Sequence, residues 1–138
     1  MAQLVIVDDP DTEHGSQMLL CATLLGPLQI VWLIPTESLT ADLDALRDVG
    51  AVAIPFSISN EPDNAKEFDS VSGSIQGLMR RQIPVYVAAG NRSRNALADA
   101  GIPVDSNFTI DGVKTPARVG TSGRAVLAAA QAALANAN

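Results

Sequence analysis

The sequence predicts a single α/β domain built as a three-layer sandwich, with a mostly parallel sheet between two layers of helices. Three observations predict it. Short, continuous apolar runs recur at residues 4–7, 29–34, 51–56 and 83–88, the pattern of strands buried on both faces. Segments of helical periodicity separate these runs, and alternation of this kind calls for right-handed crossovers and parallel pairing. At 138 residues the chain can bury one sizeable core, whereas two domains would each be marginal.

Taken in order, Leu4-Val5-Ile6-Val7 forms the first strand and ends at Asp8-Asp9-Pro10. A helix is expected over residues 14–25, a second strand over 29–34, and a second helix over 39–49 with Thr40 as its cap. The third strand, 51–56, is followed by a helix over 65–81 and a fourth strand over 83–88. Beyond Asn91 the pattern loosens: a short helix over 93–100 stops at Gly101, and a short strand over 107–110 ends at Asp111-Gly112. Gly120-Thr121-Ser122-Gly123 then leads into an alanine-rich helix over 124–135, whose intrinsic propensity is high. No internal repeat, linker or low-complexity tract interrupts the chain.

Composition narrows the function classes. A net charge of −6 opposes binding to phosphate backbones and anionic lipid surfaces, so neither nucleic acid nor membrane is an expected partner. No apolar run approaches the roughly 20 residues that span a bilayer, and no basic stretch precedes an apolar one at Met1-Ala2-Gln3-Leu4; a soluble, cytoplasmic protein is expected. Cys21, the one cysteine, sits within an apolar helical pattern and reads as buried filler. The acidic stretches at 8–13 and 61–63 lack a recognisable ligand spacing, so neither a metal nor a cofactor is expected.

In open parallel sheets, chemistry collects where strands end and helices begin. Three such places carry reactive groups: Asp8, Asp9, Asp11, Glu13 and His14-Gly15-Ser16 after the first strand; Ala88-Ala89-Gly90-Asn91 after the fourth; and Gly120-Thr121-Ser122 before the last helix. A serine hydroxyl needs an imidazole to take its proton, and the imidazole needs a carboxylate to fix its tautomer and stabilise its charged form. His14 is the only histidine, and carboxylates lie beside it. A hydroxyl at a helix start benefits from the positive end of the helix dipole, and a side-chain amide can donate to a tetrahedral oxyanion, a contact worth roughly 3 kcal/mol in the barrier. Ser122 and Asn91 supply these two groups.

Val87-Ala88-Ala89-Gly90-Asn91, His14-Gly15-Ser16 and Gly120-Thr121-Ser122 resemble the oxyanion, histidine and nucleophile motifs of the subtilisin-like serine proteases, and Val5-Ile6-Val7-Asp8 resembles the strand that delivers that family's aspartate. The order Asp, His, Asn, Ser along the chain is also theirs, and differs from the chymotrypsin and α/β-hydrolase orders. The resemblance implies that Asp8 orients His14, His14 is the general base, Asn91 stabilises the oxyanion and Ser122 attacks the carbonyl of a peptide or protein substrate. It further implies that Ser57, Ile58 and Ser59 pair with the substrate backbone and that Ala88, Ala89 and Gly90 line a specificity pocket. Asp9 competes with Asp8, because a one-residue slip at the strand end exchanges them.

The chain departs from that family in several places. It is about half as long as the family's usual catalytic domain, Gln17 stands where a second histidine is usual, and Gly123-Arg124-Ala125-Val126 replaces Met-Ala-x-Pro. Arg124 puts a cation in the first turn of a helix, against the dipole. Two other readings follow: a silent module of the same fold that binds without cutting, and a receiver-like signalling domain. Leu4-Val5-Ile6-Val7-Asp8-Asp9 resembles a receiver's first strand and acid pair, but Phe56-Ser57-Ile58 stands where its phosphoacceptor aspartate belongs.

Overall fold

The computed structural model describes residues 2–56, 65–88, 104–105 and 120–136; the helix expected at 93–100 and the strand expected at 107–110 lie outside them. The described elements run β1 (Gln3–Ile6), α1 (Glu13–Ala22), β2 (Gln29–Trp32), α2 (Leu39–Asp44), β3 (Ala51–Ile54), α3 (Ala65–Arg80), β4 (Val85–Ala88), β5 (Val104–Asp105) and α4 (Gly120–Ala135). The strands form one sheet in the order β2-β1-β3-β4-β5, and every pair is parallel. This is α/β architecture, as expected.

Period-two alternation splits each strand between two cores. From β1 and its continuation, Val5 and Val7 join Leu39 and Leu43 of α2 and Val71, Ile75 and Leu78 of α3 on one face. Leu4 and Ile6 point the other way, to Met18, Cys21 and Ala22 of α1 and Val126, Ala129, Ala130 and Ala133 of α4. Helices therefore cover both faces, which explains why β1, β3 and β4 read as unbroken apolar runs. Full burial of each large side chain contributes about 1.5–3 kcal/mol.

The reversal of strand order falls at β1: the chain steps from β1 to β2 on one side, then crosses to β3 on the other. The helix that follows β1 packs on one face of the sheet and the helix that follows β3 on the other, so the carboxyl edge of these two strands is the topological switch point. The direction of α4 follows from its far end. Ala133 lies against Gly50, where an added Cβ would come 3.1 Å from the Ala133 Cα. The Asn136 side-chain amide donates to the Gly50 carbonyl at 3.4 Å, and Gly50 N–H donates to the Gln3 carbonyl at 2.9 Å. The last turn of α4 thus sits at the amino edge of the sheet. From Ala133 back to Ser122 the helix rises about 16 Å, and from Gln3 to Asp8 the first strand and its continuation rise about 16 Å. α4 therefore runs antiparallel to the strands, with its first turn towards their carboxyl edge.

Several boundaries differ from the sequence expectation. α2 stops at Asp44 rather than 49, and its N-cap position is Ser38 rather than Thr40. The Arg81 guanidinium donates to the carbonyls of Leu43 and Leu46, both at 3.3 Å, and Arg47 donates to that of Asp44 at 2.7 Å. Side-chain donors thereby reach the Leu43 and Asp44 carbonyls of that last turn, and Asp48, at φ 60°, turns the chain towards β3. α4 begins at Gly120 rather than at 124, which brings Ser122 inside its first turn. Val104 and Asp105 pair with Val87 and Ala88 as a strand the sequence reading did not include.

α3 closes with a Schellman turn: Ile83 N–H donates to the Leu78 carbonyl at 3.0 Å and Gln82 N–H to that of Met79 at 2.9 Å. Gln82 holds the left-handed position at φ 63°, where a side chain is strained. Gln82→Gly should therefore raise stability by about 0.5–1 kcal/mol, read as a rise of about 2–4 °C in the thermal midpoint. Burial pushes the Cys21 thiol up to about 11, so at pH 8 roughly one in a thousand is thiolate. Iodoacetamide at that pH should leave the folded protein unmodified and label it fully in denaturant.

Candidate active site

The loop between β1 and α1 builds its geometry from its own hydrogen bonds. The Asp9 carboxylate accepts from Asp11 N–H at 2.9 Å, an Asx turn. The Thr12 hydroxyl donates to the Asp9 carbonyl at 2.8 Å and accepts from Gly15 N–H at 3.0 Å, so it clasps the loop and caps the helix at once. The loop lies directly on the first turn of α1. A Cβ at Gly15 would overlap the Asp9 carbonyl oxygen and sit 2.8 Å from its carbon. Glycine after the histidine is thus a steric requirement of this approach.

The result is a carboxylate against an imidazole. Asp8 Oδ1 accepts from Asp9 N–H at 2.8 Å, which fixes the carboxylate, and Asp8 Oδ2 meets His14 Nδ1 at 2.6 Å. Asp8 is largely shielded, its side chain 15% exposed, while His14 is 47% exposed. An ionised carboxylate only accepts, so Nδ1 carries the proton and Nε2 of the neutral ring keeps its lone pair. That is the tautomer a general base needs. Of the two acids at the strand end, Asp8 contacts the histidine, and the Asp9 carboxylate accepts from Asp11 N–H in the turn.

Ser122 lies half-buried in the first turn of α4, beside buried Gly123, with Arg124 half-buried beyond it. Both His14 and Ser122 stand at helix N-terminal turns on the carboxyl edge, on the face that α1 and α4 share. No hydrogen bond joins them among the described residues. Ala88 is buried at the carboxyl end of β4. Asn91, Ser57, Ile58, Ser59, Ala89 and Gly90 lie outside the described residues.

Compared with protein-family models, curated proteins and solved structures, the chain matches none. Among the described residues no helix is long and apolar enough to cross a membrane, and no three metal-ligating side chains converge.

Thr12 is the contributor that sequence reasoning passed over. A threonine at the N-cap, three residues before an amide that needs a partner, was the available signal. Thr12→Val removes the clasp and should cost about 1 kcal/mol, with Thr12→Ser restoring it. Gly15→Ala should cost about 1–3 kcal/mol and separate Asp8 from His14. In the proton NMR spectrum the downfield Nδ1–H resonance of His14 should persist in Thr12→Ser and disappear in Gly15→Ala.

Proposed function

We propose that this chain is a minimal subtilisin-like serine hydrolase that cleaves peptide or ester bonds through an acyl-enzyme. The observation that carries the reading is the 2.6 Å contact between Asp8 Oδ2 and His14 Nδ1, which leaves Nε2 open to a proton donor. Ser122 supplies that donor from the first turn of α4, where the N-terminal end of the helix favours developing negative charge. His14 takes the hydroxyl proton as Ser122 Oγ attacks the carbonyl carbon, then returns it to the leaving group; water repeats the sequence to release the acyl group. Asn91 acts as oxyanion donor on the strength of its motif, with Ser57, Ile58 and Ser59 and the Ala88-Ala89-Gly90 segment flanking the substrate.

A second reading has one observation in its favour. The strand order 2-1-3-4-5 is that of flavin-binding and receiver-type sheets. Against it, β3 runs into Pro55-Phe56 with no acceptor aspartate, and Asp8 is committed to His14.

Labelling with a fluorophosphonate separates these readings. The wild type should label at Ser122, Ser122→Ala and His14→Ala should not, and Asp8→Asn should slow labelling by about 10³–10⁴-fold. Label persisting in Ser122→Ala would remove that serine as nucleophile. A wild type that never labels would favour the silent module, and aspartyl phosphorylation by acetyl phosphate would favour the receiver.

A further inference from the structure

The sheet ends at β2 on an edge that no described strand covers. Gln29 N–H donates to the Ala2 carbonyl at 2.8 Å and Leu33 N–H to that of Ile6 at 3.0 Å. Alternation along a parallel strand then turns the N–H and C=O groups of Ile30 and Trp32 outward, away from β1. Natural edge strands are usually guarded by charged side chains, a proline within the strand or a bulge. This one has none: β2 reads Gln-Ile-Val-Trp, with prolines only outside it at 27 and 35. The chain carries no charged residue from Gln17 to Thr36, although its net charge is −6. Large apolar side chains stand open along this same stretch, Leu20 at 57% and Ile34 at 49% exposure.

We propose that the β2 edge is where two copies of this chain join, antiparallel, about a two-fold axis through Val31. That register is self-complementary. Ile30 faces Trp32 of the second copy, so each pair exchanges both of its outward backbone hydrogen bonds. On the same face Leu28 stacks against Ile34, and on the other Val31 meets Val31, with no carboxylate in the seam. Charge selects a second copy as the occupant: two acidic bodies approach at least cost where their surfaces are neutral, and of the two described sheet edges β2 carries no charge, whereas β5 ends in Asp105. The sheet becomes continuous across the dimer, and both carboxyl-edge sites remain open because β2 lies on the far side of β1 from β3.

Sedimentation equilibrium of the full chain from about 1 µM to about 100 µM tests this. The wild type should approach twice its 14.4 kDa mass. Ile34→Lys, at an exposed position that folding tolerates, should raise the dissociation constant at least tenfold. Met79→Lys, an exposed position on α3, should leave it unchanged. Amides of Ile30 and Trp32 should exchange at least about tenfold more slowly at the high concentration, with amides of α3 unaffected. A wild type that stays monomeric throughout the range overturns the proposal. So does an Ile34→Lys dimer as tight as the wild type, or a dimer in which the Ile30 and Trp32 amides gain no protection.

Discussion

The Asp9 carbonyl occupies the space that a side chain at Gly15 would need, and the rest of the site depends on this overlap. Because the loop can lie flat on the first turn of α1, Asp8 at the end of β1 and His14 on the helix are brought within one hydrogen bond. A loop this short would otherwise have to arch over the helix, carrying the carboxylate away. Backbone packing sets the distance, and the loop's internal hydrogen bonds set the direction in which each carboxylate points.

The two faces of the sheet are packed by different means. Valine, isoleucine and leucine fill the side under α2 and α3, whereas alanine dominates the contact between α4, β3 and β1. Small residues let the α4 backbone approach the strands closely, and Gly50 allows its last turn to rest on the sheet's amino edge. The side chains buried on this face are smaller, and it is the face on which α1 and α4, the helices of His14 and Ser122, both pack.

Much of this was legible in the sequence, and the exceptions have identifiable physics. The β1, β3 and β4 runs were visible because strands buried on both faces cannot alternate. The length of α2 was not, because the carbonyls at and just beyond its end, Leu43 and Leu46, take donors from Arg81, a residue some forty positions away. The strand at Val104 and Asp105 is too short for any periodicity. α4 starts four residues before the alanine-rich stretch, at Gly120, because Gly120 and Gly123 have low helix propensity and read as a loop although they are helical here. Asp8 and Asp9 could not be told apart from spacing alone: the difference lies in which carboxylate the turn consumes, a property of three-dimensional hydrogen bonding.

The seat of Ala133 on Gly50 gives α4 the character of a gauge rod. With its foot fixed, the height and bearing of Ser122 depend only on how many residues separate the two. Removing one alanine would lower the serine by about 1.5 Å and swing it about 100° around the axis. Substitutions along the rod can therefore be plentiful while its length stays invariant, and a change of register there would re-aim the serine without touching any residue near it.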